Sequence, residues 1–373
     1  MPALVSELRE GYATLSGLLV AAAAGTTVSY FLGNGFVDRL SAKRVLAAGF
    51  IAFLLGALPL PFVRAYPVWL VAIFMAGFGL SLIDVSGARI AHASGRGREG
   101  AALSTLNVFF SIGAVIGPVI VALGGAAGVA TGWAWLGPGA LAVAGLGILG
   151  RAKGDGLPQR AAPPPAAPRA EARRRGGVWI WTLAAAMFVY TASEAGFGSW
   201  FAAFAHARAG VPSWEAALFV TVFWGGFIPS RLFVTGRMGV WRLERLIVVG
   251  GLLGSLGEAA SALLGQSVWG VLAGAFVAGL GFGPCFPATL ALAGQGAAGM
   301  EGWSFGRLYS SLAISLLVGP WALGRIFTVS PDAAVYTMAA LALAMGVIIA
   351  LYRSPSPPPL PSAQEGAERA LSP

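Results

Sequence analysis

The chain has 373 residues, of which 57% are hydrophobic and 10% charged, with a formal net charge of +9 and a mean hydropathy of +0.77. Too few polar side chains are available to cover that apolar surface in water. This excludes a soluble globular protein and implies an all-α membrane protein, because a spanning helix satisfies its own backbone hydrogen bonds. The single cysteine, Cys285, excludes an intramolecular disulfide.

Eleven apolar stretches are long enough, or nearly so, to cross a bilayer. Five come first: Ala13 to Gly33, Val45 to Val63, Val68 to Ser86, Ala101 to Leu123 and Trp133 to Leu149. Six follow: Val178 to Phe204, Trp214 to Val234, Leu246 to Leu264, Val268 to Ala293, Phe305 to Phe327 and Ala334 to Leu351. The expected organisation is an N-terminal bundle over 1–150, a basic proline-rich linker over 151–177, a C-terminal bundle over 178–353 and a disordered tail over 354–373. No cleaved signal peptide is expected at the start.

Alternate loops carry the basic residues: Arg39, Lys43 and Arg44, then Arg96 and Arg98, then the linker, then Arg237, Arg242 and Arg245. By the positive-inside rule these loops and the C-terminus are cytoplasmic, in a multi-pass protein of the cytoplasmic (inner) membrane. The charge is thereby read as a topology signal, and no nucleic-acid partner is expected.

The chain also repeats itself. Arg44, Gly49 and Gly56 recur as Arg245, Gly250 and Gly257 at an offset of 201, and Gly117-Pro118 recurs as Gly319-Pro320 at an offset of 202. Two parallel halves follow, of five and six spans. On this offset the counterpart of the sixth span falls at about positions −23 to 3, so the expectation is that the first helix of the first half is absent, through a late start assignment or a truncation.

Two six-helix halves joined by a basic loop resemble the major facilitator superfamily. The stretch from Asn34 to Arg44, with its Asp38-Arg39 pair and the distal Lys43 and Arg44, is similar to that superfamily's signature loop; Asn34 and Ser41 depart from its usual glycines. Tyr190 to Trp200, Phe223 to Gly226 before Arg231, and Gly283 to Leu292 are similar to segments of the fucose permease-like branch of sugar:proton symporters. Ala88 and Asn107 stand where many relatives have asparagine and histidine. The resemblance implies a transporter rather than an enzyme, with two helical bundles rocking about a central site. Asp38, Arg39, Lys43, Arg44, Arg231 and Arg245 would serve as its gating loops.

Buried charge singles out the working residues, since an ionisable group inside a membrane helix is costly and functional by default. Glu194 lies 16 residues into its span, roughly 24 Å along the helix. It is the leading proton-coupling candidate, with Asp84 second; the bland alternative is a structural carboxylate for Glu194 and, for Asp84 with Arg89 five residues on, a gate or scaffold ion pair near the interface. Glu258 shares a helix face with Ser255 and Ser261, on a helix that the resemblance to the superfamily implies is peripheral. Asn107, Tyr190, Trp200, Trp224 and Tyr309 are candidates to line a sugar-type cavity, because flat aromatics stack on sugar faces while amides and phenols hydrogen-bond hydroxyls. Trp200 reads equally well as an interfacial anchor. The turn from Ala93 to Gly100 lacks the ending of a phosphate loop. His92 and His206 fall on opposite sides of the membrane, and no metal or cofactor site is expected.

The expected function is secondary transport of a small polar solute, sugar-like or another metabolite, by a proton-coupled monomer in a lipid bilayer. Drug or metabolite efflux by proton antiport, and a non-transporting sensor or degenerate transporter, are the alternatives.

Overall fold

A computed structural model describes residues 2–39, 41–94, 99–152, 178–235, 242–297 and 301–352, and every element within them is helical. The first half comprises α1 (Pro2–Leu8), α2 (Tyr12–Arg39), α3 (Ala42–Ala57), α4 (Tyr66–Ser94), α5 (Glu99–Ala126) and α6 (Leu136–Arg151), the last preceded by a 3-10 turn at Thr131–Trp135. The second comprises α7 (Val178–Ala209), α8 (Ser213–Thr235), α9 (Leu243–Leu263), α10 (Val268–Phe282), α11 (Cys285–Ala297), α12 (Glu301–Val329) and α13 (Pro331–Ala350). Most of the linker, from residue 153 onward, and the tail lie outside the described residues, as do Arg96, Arg98 and Arg237.

Among the described residues, nine of the expected spans are long and apolar enough to cross a membrane. The two others are α3, which has only 16 residues, and α7, which runs for 32 residues but is interrupted by Tyr190, Ser193 and Glu194. Helix starts follow their caps. Ser41, Ser267 and Ser330 accept from the backbone N–H groups of Arg44, Gly270 and Ala333, and Pro331 begins α13 where a missing N–H does no harm. Prolines break as well as start. Pro284 separates α10 from α11 within one membrane-long segment, Val268–Gln295.

The repeat read in the sequence is written into the packing. A Cβ on Gly25 would collide with the backbone of α4 at Phe74 and Phe78, and one on Gly226 would collide with α10 at Phe276 and Leu280, the same positions 201 or 202 residues on. Gly77 meets the Ala22 carbonyl as Gly279 meets that of Phe223. Small residues let the helix backbones touch, which matters where lipid supplies no hydrophobic drive between helices. The junctions of α1 and α7 correspond too. Arg9 and Gly210, 201 apart, end their helices with positive φ values of 56° and 69°. The Glu7 carboxylate accepts from the Thr131 N–H at 2.8 Å and hydroxyl at 2.6 Å, where the second half uses an Arg208–Asp332 ion pair at 2.9 Å. So α1 is the counterpart of the last two turns of α7. Beyond those turns the halves differ. Ser311 and Ser315 of α12 donate to the Ala184 and Phe188 carbonyls of α7, but Gly113, the counterpart of Ser315, has no atom within 4 Å of a Cβ position.

Within each half the helices pack closely: α4 against α2 and α3, and α9 against α10 and α13, with α7 held between α12 and α13. Between the halves, α5 packs on α8 and α2 on α12. These two contacts exchange under the repeat, so the halves meet about a pseudo-twofold axis.

Candidate functional site

Arg231 is the residue on which the centre of the molecule turns, and the sequence of α11 explains why. In a continuous helix the Gly283 carbonyl would accept from the N–H of residue 287, but that residue is Pro287, which has none. Arg231 Nε donates to this stranded carbonyl at 3.1 Å, while its Nη1 donates to Ser111 Oγ on α5 at 2.9 Å. Its guanidinium also lies 5.1 Å from the centroid of the Phe227 ring. The planar fork thus ties the break in the second half to a helix of the first. Arg231 was expected in a gating loop; it lies inside α8, four residues before the helix ends. Within its electrostatic reach are Tyr190 and Glu194, the latter half-buried at mid-length of α7, and Glu258 lies in turn within reach of Glu194.

Across the other contact, the Tyr30 hydroxyl of α2 donates to Asp84 Oδ2 of α4 at 3.3 Å. Its ring sits 6.1 Å from that of Tyr309 on α12, which in turn sits 6.4 Å from Phe286 on α11. Asp84 and Tyr309 are exposed. Asn107 falls on α5, with its side chain outside the described residues. Trp224 is half-buried on α8, edge-on to Phe110 of α5 at 6.2 Å and tilted on Phe227 at 4.8 Å, so its ring spans the two halves.

Two of the aromatic candidates are packed instead. Tyr190 is buried edge-on to Phe282 at 5.7 Å. Trp200 is fully buried, its Nε1 donating to the Pro320 carbonyl at 2.8 Å and its ring stacked on Phe327 at 5.3 Å. Tyr12 of α2 closes on both Trp200 and Phe327, so this cluster plugs the seam at the end away from Arg231. Of the loop residues, Lys43 Nζ donates to the Ala152 carbonyl at 2.5 Å, tying α3 to the end of α6. Arg44 and Arg245 are exposed in the first turns of α3 and α9. Asp38 and Arg39 fall in the last turn of α2, with side chains outside the described residues.

The profile of the Major Facilitator Superfamily matches residues 1–302. The chain belongs to that superfamily. Its fold and family are those of multi-pass membrane transporters, not of enzymes. It is 24% identical over 269 residues to the "Protein TsgA homolog" of Edwardsiella ictaluri (strain 93-146), an alignment covering 69% of this chain and 64% of that protein's length. Solved structures with the same fold include the nucleoside transporter NupG, with a TM-score of 0.76 at 13% identity over 94% of each chain. A peptide transporter POT in complex with sulfate scores 0.75 at 16% identity, covering 93% of this chain and 87% of the other. The E. coli fucose:proton symporter FucP scores 0.60 at 14% identity, over 95% and 96%.

In this superfamily member, sequence reasoning passed over three residues of the centre. Tyr30 carried no local signal, but the repeat places it 201 residues before Arg231 and could have drawn attention to it. Ser111 lies in an apolar run where one hydroxyl means little. Ser193 stood beside Glu194 without a role. Its hydroxyl lies 3.0 Å from both carboxylate oxygens of Glu258, which is fully buried. Glu258, expected to be peripheral, is thus joined to α7 at the residue next to Glu194. A buried carboxyl left without its donor loses that bond and stays desolvated, so Ser193→Ala is expected to lower stability by about 1–3 kcal/mol. The midpoint of thermal unfolding in detergent micelles checks this, and an unchanged midpoint would show the bond to be dispensable.

Proposed function

We propose that the protein is a secondary active transporter of the cytoplasmic membrane. It moves a small polar solute, sugar-like or another hydroxyl-bearing metabolite, by alternating access of its two halves and coupled to protons. The observation that carries this reading is a pair of ionisable groups, one in each half and each beside one of the two contacts between the halves. Asp84 of the first half is held by Tyr30, and Glu194 of the second lies within the electrostatic range of Arg231, with Tyr309 and Trp224 between the halves. Carboxyls at membrane depth, each lying beside a contact between two moving bodies, suit proton uptake and release as the bodies separate. The aromatic faces and phenol hydroxyls suit a ring-shaped solute with hydroxyl groups, and Asn107 of α5 adds an amide to the same set. The loops at 38–44 and at the start of α9 serve as gates at the cytoplasmic end, the protein works as a monomer, and its C-terminus is cytoplasmic.

Counterflow in proteoliposomes tests the reading. Vesicles preloaded with unlabelled solute take up trace label only if the solute is carried. A panel of hexoses, pentoses and nucleosides is expected to yield at least one substrate, whose uptake rises when the outside is acidified. Transport confined to cationic drugs, or no counterflow with any of these solutes, would overturn it.

A further inference from the structure

The outer side of the second half carries a cavity that the transport reading leaves unused. Helices α8 and α9 both pack on α10. Between them remains a slot of about 750 Å³, walled by Phe233 of α8 and by Leu246, Val249 and Leu253 of α9, and floored by Gly281 and Pro284. Gly281 presents no side chain and so lets α9 close on α10 beneath the slot; a Cβ there would meet the backbone of Gly250 and Gly254. Phe233 and Val249 are exposed, so the slot faces away from the seam between the halves. Arg242 and Arg245 stand at its upper end, in the first turn of α9. From Arg242 to Leu253 the wall runs roughly 16 Å along the helix. Glu244 lies 3.8 Å from Arg242 and offsets one of the two charges, which leaves the mouth net positive with Arg245 exposed.

An apolar slot of that length, opening sideways from the bundle and ending in guanidinium groups, matches the shape and charge of one class of molecule. We infer that it holds a single anionic phospholipid, an acyl chain between α8 and α9 and the phosphate on Arg242 and Arg245. Guanidinium groups suit this task because they present planar, forked donors to phosphate oxygens. Basic pockets between helices at a membrane face bind anionic headgroups on the same physical ground. The lipid would brace α9 against α8, two helices with few direct contacts, and so stiffen the second half as a unit.

Delipidated protein in detergent, titrated with phosphatidylglycerol or phosphatidylcholine of the same acyl chains and read by native mass spectrometry, tests this. One phosphatidylglycerol per chain is expected, bound about tenfold more tightly than phosphatidylcholine. The double variant Arg242→Gln/Arg245→Gln, altered at exposed positions, is expected to bind the two lipids alike. Val249→Trp, which fills the slot and leaves both arginines, is expected to weaken phosphatidylglycerol by a similar factor. Equal binding of both lipids by the unaltered protein would overturn the inference, as would a lipid preference that survives the double variant. Glycerol phosphate competing as well as the whole lipid would reassign the arginines to a soluble anion and overturn it too.

Discussion

Replacing Glu194 by glutamine is expected to reduce solute accumulation driven by an inward proton gradient by about tenfold or more, the size of a typical coupling between two bound ligands. Counterflow exchange of the same solute should change little. Glutamine keeps the shape of the side chain and can still hydrogen-bond, but it cannot gain or lose a proton, so the variant separates coupling from carriage. The site supports that separation. Glu194 is half-buried at mid-length of α7, and Arg231 is the cation that acts on it. When the seam between α5 and α8 parts, the Arg231–Ser111 bond must break, and the field at Glu194 changes with it. On the proposed coupling, a proton taken up in one arrangement would be released in the other. Accumulation that stayed fully driven by the gradient in Glu194→Gln would remove this residue from the coupling and leave Asp84 as the remaining candidate. Loss of counterflow as well would make Glu194 part of solute binding instead.

The second large effect concerns two neighbouring glycines. Gly226→Ala is expected to destabilise the protein by about 1–3 kcal/mol, whereas Gly225→Ala should be neutral or stabilising by up to about 1 kcal/mol. A Cβ on Gly226 would lie 2.5 Å from the Phe276 carbonyl oxygen and 2.8 Å from the Leu280 nitrogen. Both atoms belong to the backbone of α10, so relief requires moving a whole helix. At Gly225 nothing lies within 4 Å, and alanine there gains the usual helix preference over glycine. The two variants differ by one position and no chemistry, so their unfolding midpoints should bracket the unaltered protein. If both fell equally, the close approach of α8 and α10 would not be what glycine preserves.

The architecture was legible in the sequence because its evidence is local and periodic. Hydropathy located the spans, and Arg44 with Arg245, or Gly117-Pro118 with Gly319-Pro320, exposed the repeat without any knowledge of contacts. The same register held more than was taken from it. It pairs Tyr30 with Arg231, Asn107 with Tyr309 and Asp84 with Phe286, so positions that meet at the centre of one half are echoed at the centre of the other. What could not be read was which face each helix turns toward its neighbours. Trp200, near the end of its expected span, carries the same composition signal whether it anchors at an interface, lines a cavity or pins two helices of one half together. Only the position of the Pro320 carbonyl distinguishes these. Glu258 illustrates the opposite case. Its spacing from Ser255 and Ser261 identified a shared face, but the hydroxyl that meets it comes from Ser193, 65 residues away in the chain. Arg231 required still more, since its place depends on a carbonyl stranded by a proline on another helix.

The backbone contacts at Gly25 and Gly226 bear on more than stability. Where two helices meet main chain to main chain, neither an acyl chain nor a water molecule fits between them, so α2 with α4 and α8 with α10 leave no gap at these crossings. The seams α5 to α8 and α2 to α12 are held differently, by aromatic edges, hydroxyls and one guanidinium, contacts that can part without opening either crossing. A molecule assembled this way has stiff contacts inside each half and a parting line between them, so its motion is directed to the seams.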